Sequence, residues 1–229
     1  MNFLLIFLAG LIVSVALIAI WLVVNMRWIS QNTDRDRFFS KPLSERIAFR
    51  NKVEGKARVI SVIFAGLRKV GLRLPVTNYK GVKVPPVCTP DTMQYAEEYQ
   101  PEPCDIFIAT QMKCGTTWMQ QIVFEILSRG AGDLSDAGYK HLYCVSPWIE
   151  SAGSVSLTDA PLIGPNSNRI VKTHLAADLC PYAPTAKYIY VARHPGACLA
   201  SAIDFVTMLL GYNVIRADEF VDWFCSDDM

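Results

Sequence analysis

The sequence lacks a charge surplus: 22 Lys plus Arg stand against 21 Asp plus Glu in 229 residues, a formal net charge of +1. That balance excludes a generally basic nucleic-acid binder and confines any basic surface to a local patch. The cysteine spacings of a metal or disulfide scaffold are missing too. The seven cysteines, at 88, 104, 114, 144, 180, 198 and 225, are odd in number, contain no C-x-x-C pair and mostly lie among apolar residues. They argue against a zinc site or a disulfide framework and fit a reducing compartment. Internal repeats are absent. With 52% hydrophobic residues, 19% charged and 13 each of Gly and Pro, the chain is not disordered, collagen-like or of low complexity. Its length holds one domain of ordinary size and a tail.

What is present begins with a long apolar run. Residues 3–24 are interrupted only by Gly10 and Ser14, and at about 1.5 Å rise per residue they would span the roughly 30 Å hydrocarbon core. The run predicts an uncleaved transmembrane helix, because a basic n-region and a clear A-x-A cleavage pattern are both missing. A buried core helix is the other reading, disfavoured by the lack of a polar face. Arg27, Arg35, Arg37 and Lys41 follow the run and only the α-amino group precedes it. Positive charge prefers the cytoplasm, so the C-terminal part is expected in the cytosol, with a Golgi-lumenal domain as the alternative. Lys52, Lys56, Arg58, Arg68, Lys69, Arg73, Lys80 and Lys83 come next, opposed only by Glu54. A basic amphipathic helix on an anionic membrane and a helix packed on the domain both fit. Pro75, Pro85, Pro86, Pro90, Pro101 and Pro103 then suggest an extended connector. The expected division is an anchor at 1–26, a basic membrane-proximal region and connector at 27–100, and a catalytic-type domain at 101–229.

Three motifs carry the chemistry. The first is a strand-like run at 105–110, then Q-M-K-C-G-T-T-W at 111–118, then Trp118, Ile122, Val123, Ile126 and Leu127 at helical spacing. A helix beginning near Thr116 presents free backbone N–H groups and the positive end of its dipole to an anion. Lys113 adds a charge, and Thr116 and Thr117 add hydroxyls. Because Lys113 precedes Gly115, the loop is not the Walker sequence. The second motif, R-I-V-K-T-H-L at 169–175, is a strand whose carboxyl end carries Lys172 and His174, where open α/β sheets form their ligand crevice. The third is a strand at 187–193 ending in Arg193, followed by His194-Pro195 and a helical stretch from about 196 to 210 that carries Ser201.

K-C-G-T-T-W closely resembles the 5′-phosphosulfate loop, P-K-S-G-T-T-W, of the sulfotransferases that use 3′-phosphoadenosine 5′-phosphosulfate. Met112 stands where Pro is usual and Cys114 where Ser is usual. K-T-H-L at 172–175 resembles the segment that carries the family's catalytic His, with Ala176 where Pro is frequent. Tyr190-Val-Ala-Arg193, with Ser201, resembles the 3′-phosphate-binding segment. The resemblance covers about residues 101–222.

It implies an α/β fold: a three-layer P-loop-like domain with a mainly parallel sheet, strands near 105–110, 169–173 and 187–193, and helices near 116–129 and 196–210. It implies sulfuryl transfer from 3′-phosphoadenosine 5′-phosphosulfate to a hydroxyl or amine of a small-molecule or lipid-like acceptor. His174 would be the general base, Lys113 would stabilise the bridging oxygen, and Lys172 would assist at the transferred group. Gly115, Thr116 and Thr117 would hold the 5′-phosphate, and Arg193 and Ser201 the 3′-phosphate. Trp118 would stack on the adenine, or else be a core aromatic. Neither a metal nor a nucleic-acid partner is implied. The family continues with an R-K-G-x-x-G-x-W-K segment that is absent before Met229, so the expectation is a truncated chain with impaired transfer. Two alternatives stay open. One is a P-loop nucleotide kinase, whose Walker Lys-Ser/Thr pair the loop lacks. The other is a non-catalytic, membrane-tethered nucleotide-binding or interaction protein.

Overall fold

The structure is a computed structural model that describes residues 2–32, 42–69, 77–85, 87–134, 141–151, 154–210 and 217–226. In chain order the helices are α1 (Asn2–Asn32), α2 (Leu43–Lys69), α3 (Pro90–Glu98), α4 (Thr116–Leu127), α5 (Leu142–Val145), α6 (Pro195–Leu210) and α7 (Ala217–Phe224). The strands are β1 (Thr77–Tyr79), β2 (Val82–Val84), β3 (Asp105–Thr110), β4 (Arg169–Thr173) and β5 (Lys187–Val191).

The three apolar segments of the motifs pair side by side. The sheet order is β4-β3-β5, and both pairings are parallel. Side chains alternate across a strand, which sends Ile106, Ile108 and Ile170 to one face and Phe107 and Val171 to the other. The first set packs with Val123 and Phe124 of α4. The second packs with Ala96 of α3, Ile149 and Leu157. Helix, sheet and helix make three layers, and because β3 is covered on both sides it reads as a continuous apolar run. β5 ends at Val191, so Arg193 stands in the turn before α6 rather than within the strand.

At the amino ends of β3 and β4 a polar cluster ties the layers together. The fully buried Asp105 carboxylate accepts from Arg169 Nε at 2.7 Å, Tyr99 Oη at 2.8 Å and the Glu102 backbone N–H at 2.8 Å. Arg169 Nη2 also donates to Tyr99 Oη and to Glu102 Oε2, both at 2.7 Å. Burial, and the hydrogen bond to Asp105, push the Tyr99 phenol well above its ordinary range.

The extended connector expected from the prolines is not what the chain forms. The connector holds regular structure: β1 and β2 form an antiparallel hairpin. Lys80 (φ 50°) and Gly81 (φ 88°) make its two-residue turn, the left-handed conformation that such tight hairpins require. Pro90 opens α3 instead of breaking the chain. Thr89 caps that helix by accepting from the Thr92 N–H, and proline suits a first helical position, where its missing N–H costs nothing. Pro75, Pro86 and Arg73 lie outside the described residues.

Helix α4 forms where the helical spacing places it, with its apolar residues divided between core and surface. Val123 and Phe124 are buried, together with Gln120, whose Nε2 donates to Ser146 Oγ at 2.9 Å. Trp118, Ile122 and Ile126 are exposed.

Among the described residues no helix is long and apolar enough to cross a membrane, so the structure does not carry the span expected at residues 3–24. The side chains of residues 2–9, 11 and 12 lie outside the description. Toward its carboxyl end α1 turns polar and is held by α2. The buried Asn25 accepts from Lys56 Nζ at 2.5 Å, and Trp28 stacks on Phe49 with ring centroids 5.6 Å apart. Helix α2 in turn lies against α6, the arrangement expected of a helix packed on the domain.

Candidate active site

The loop between β3 and α4 takes its shape from two left-handed residues, Lys113 at φ 65° and Gly115 at φ 104°. Glycine adopts that conformation freely, whereas a lysine there carries ~1–3 kcal/mol of strain, the kind found at ligand clamps. No side chain caps α4. Its helical bonding starts with Met119 N–H to Gly115 O at 3.0 Å, so the first-turn N–H groups have no helical acceptor and converge at the loop. Lys113 Nζ lies 4.0 Å from the centroid of the Phe205 ring on α6. Burial lowers the Lys113 pKa, and the nearby Arg193 guanidinium lowers it further. Arg193 Nη1 donates to Lys113 O at 3.2 Å. Two cations thus face one space beside free N–H donors, and an anion seated there would relieve their repulsion.

His174 follows β4 and is joined to the same loop through Thr110, the last residue of β3. Its Nδ1 lies 2.7 Å from Thr110 O and 3.3 Å from Thr110 Oγ1, and Thr110 Oγ1 is 2.5 Å from Thr116 Oγ1. A carbonyl can only accept, so Nδ1 carries the proton and Nε2 keeps a free lone pair. Burial, and then the charge of Lys172, bring the His174 pKa down to about 4, with only partial opposition from the Thr110 carbonyl. The ring is therefore neutral at physiological pH. Thr116 is itself buried. Its hydroxyl is turned toward Thr110, so what it offers a ligand is its backbone N–H; the exposed Thr117 keeps its hydroxyl on the outside.

Lys172 is 5% exposed, with its ammonium 4.1 Å from the Trp148 ring centroid and 5.0 Å from that of Tyr143. The Trp148 ring meets the His174 imidazole edge-on at 5.0 Å. Glu150, 2% exposed, accepts from the His174 backbone N–H through Oε1 at 2.6 Å. Burial pushes its carboxyl pKa up. Trp148 and Glu150 escape a reading of the sequence, since neither spacing nor composition around them differs from an ordinary loop. Their position comes from the backbone pairing of Ile149 N–H with Lys172 O at 3.0 Å.

Ser201 sits part-buried on α6. Trp118 is 80% exposed, which removes the core-aromatic reading, and with Thr117, Gln121, Ile122 and Leu142 it lines an open depression of about 380 Å³. Contacts therefore join the site residues in two groups, Lys113 with Arg193 and Thr116 through Thr110 with His174 and Lys172, and the chain segment from Lys113 through Gly115 to Thr116 links the two, while Trp118 lines a separate depression.

The chain resembles known proteins in sequence and in fold. The family model described as "Sulfotransferase domain" matches residues 103–229, more than half of the chain. Human sulfotransferase 1C2 is 29% identical over 143 residues, covering 61% of this chain and 47% of that protein. Human sulfotransferase 1E1 is 32% identical over 133 residues, covering 56% and 45%. The chain spans about half the length of the curated relatives it matches. The crystal structure of retinol dehydratase in complex with androsterone and inactive cofactor PAP aligns over 68% of this chain and 56% of its own, with TM-score 0.50 and 20% identity, a likeness of fold. With a matching family model over most of its α/β domain, the chain belongs to the sulfotransferase family.

Proposed function

We propose that the site transfers a sulfuryl group from 3′-phosphoadenosine 5′-phosphosulfate to a hydroxyl or amine of a small-molecule or lipid-like acceptor. The observation that carries this reading is the Thr110 junction. It sets a neutral imidazole with a free Nε2 beside an uncapped helix N-terminus flanked by Lys113 and Arg193. Family membership, and the PAP bound in the aligned retinol dehydratase structure, support the donor.

The donor supplies an activated sulfuryl group; the chain's residues must orient it, neutralise charge and accept a proton. Backbone N–H groups of Gly115 and Thr116, with the Thr117 hydroxyl, hold the 5′-phosphate. Arg193 suits the 3′-phosphate because its planar fork pairs two oxygens at once, with Ser201 as the second donor. Trp118 offers an exposed face for the adenine. Lys113 neutralises the bridging oxygen as negative charge develops on it, Lys172 assists at the transferred group, and His174 Nε2 takes the acceptor proton. The residues ask for no metal.

Incubation with donor labelled in the sulfuryl group and a panel of phenols, alcohols and amines tests the proposal. Labelled sulfate ester or sulfamate is the expected product. Phosphoryl transfer from a nucleoside triphosphate would point to the kinase reading, and nucleotide binding with no transfer to any acceptor would point to the non-catalytic one.

We further propose that residues 3–24 tether the protein to a membrane with the catalytic part toward the cytosol. Their support is length, apolar composition and the basic residues that follow. Val13, Val15, Ile18 and Val23 are also about half-exposed or more and lie on different sides of α1. The full chain should stay in the membrane pellet after alkaline carbonate extraction. Release into the supernatant would refute the tether.

A further inference from the structure

We infer that Cys114 and Cys198 form an oxidisable dithiol that takes a two-electron oxidant of the peroxide class and, once bridged, weakens nucleotide binding. The two Sγ atoms are 3.5 Å apart, although 84 residues separate them in sequence. Both side chains are buried, at 8% and 4% exposed, and both thiols are free. A disulfide has an S–S distance of about 2.05 Å, so the pair stands ~1.5 Å short of bonding, a gap closed by side-chain rotation together with movement of the loop and α6 toward each other.

The pair lies at the heart of the proposed site, and the inference rests on that reading. Cys114 sits between Lys113 and Gly115 in the loop assigned to the 5′-phosphate. Cys198 is in the first turn of α6, five residues after Arg193 and three before Ser201, the pair assigned to the 3′-phosphate. A bridge would therefore clamp together the two elements that hold the two ends of the nucleotide. It would also remove the Cys198 thiol that now donates to Arg193 O at 3.9 Å. Binding groups must be held to within about 0.5 Å of their productive positions, and drawing the loop and α6 together by a larger amount takes both sets of donors out of register.

Burial favours a small oxidant, and hydrogen peroxide satisfies the chemistry without a further reactant. Cys114, the more accessible thiol, attacks one peroxide oxygen as thiolate. The O–O bond breaks, Cys114 becomes a sulfenic acid, and the released hydroxide takes up the thiol proton as water. The Cys198 thiolate then attacks the Cys114 sulfur. The S–S bond forms, the S–O bond breaks, and the second hydroxide leaves as water with the Cys198 proton. Two thiols lose two electrons and two protons, and one peroxide is reduced to two waters. Burial and the neighbouring Cys198 thiol push the Cys114 thiol pKa up, so the reaction should quicken as pH rises.

The test treats the full chain with hydrogen peroxide, maps bridges by mass spectrometry of unreduced peptides, and measures adenosine 3′,5′-bisphosphate binding by calorimetry. Binding is measured before oxidation, after it, and after dithiothreitol. The expected result is a peptide linking Cys114 to Cys198 and an affinity at least about tenfold weaker, restored by reduction. By linkage, saturating bisphosphate favours the reduced pair and should raise its reduction potential by ~30 mV for each tenfold difference in affinity. Cys198→Ser should bind the bisphosphate like the parent and ignore peroxide. Cys114→Ser, which restores the residue usual in the family, should give the same insensitivity and serves if the first variant misfolds. Peroxide-treated chain without the 114–198 linkage, or with the linkage and unchanged affinity, would overturn the inference. A reduced chain that binds no bisphosphate would overturn the reading of the site instead, while the peptide map still decides whether the dithiol closes.

Discussion

Replacing His174 with alanine should slow sulfuryl transfer by ~10²-fold or more while leaving affinity for adenosine 3′,5′-bisphosphate nearly unchanged. The asymmetry follows from what the ring touches. Its Nδ1–H is committed to the Thr110 carbonyl at 2.7 Å, which leaves Nε2 for the acceptor's proton. The groups proposed to bind the anion belong to the loop, to the first turn of α4 and to Arg193, none of which depends on the imidazole for its charge. The pH profile sharpens the expectation. Burial brings the His174 pKa to about 4, below the ordinary histidine value near 6.5. The base is then already deprotonated at neutral pH, and its acid limb in kcat/KM should lie near pH 4. The same displacement sets a sign for stability. Between about pH 6.5 and 4 the unfolded chain binds the proton and the folded chain does not, so stability present above 6.5 is lost as pH falls through that window. Wild-type turnover in His174→Ala, or a histidine limb at 6.5, would contradict the assignment.

Asp105→Ala should destabilise the fold by ~3–5 kcal/mol, because it removes the buried carboxylate partner of a largely buried guanidinium. Arg169 is 12% exposed at its side chain and would keep only the exposed Glu102 as a carboxylate partner, at 2.7 Å. Tyr99 Oη and the Glu102 N–H would lose their acceptor as well. For a chain of this size the loss should lower the unfolding temperature by roughly 10 °C, read by circular dichroism. A change below ~1 kcal/mol would mean that water or Glu102 replaces the carboxylate, and that the cluster is not what joins β3 to β4.

The sheet was legible because parallel strands buried on both faces read as short apolar runs, and the runs at 105–110 and 169–173 coincide with β3 and β4. The loop was legible because Lys, Gly and paired Thr residues crowd into a few positions between a strand and a helix. Pairings across long sequence separations were not. Nothing near Asp105 announces Arg169, 64 residues away, and Cys114 gives no sign of Cys198. Proline misleads where it is read as a breaker: Pro90 depends on the Thr89 cap to open α3. Periodicity alone puts Trp118, Ile122 and Ile126 inward, whereas Gln120 takes the buried position because Ser146 satisfies its amide. Glu150 reads as an ordinary loop acid, and its place beside His174 exists only once the 147–150 segment pairs with β4.

If the loop before α4 and Arg193 together build one anion site, calorimetric titration with adenosine 3′,5′-bisphosphate shows it most directly. The reduced chain should bind with one-to-one stoichiometry. Arg193→Ala should bind ~10–100-fold more weakly, the scale of losing a charge-assisted hydrogen-bonded pair. No binding by the parent chain, or equal binding by Arg193→Ala, would contradict it.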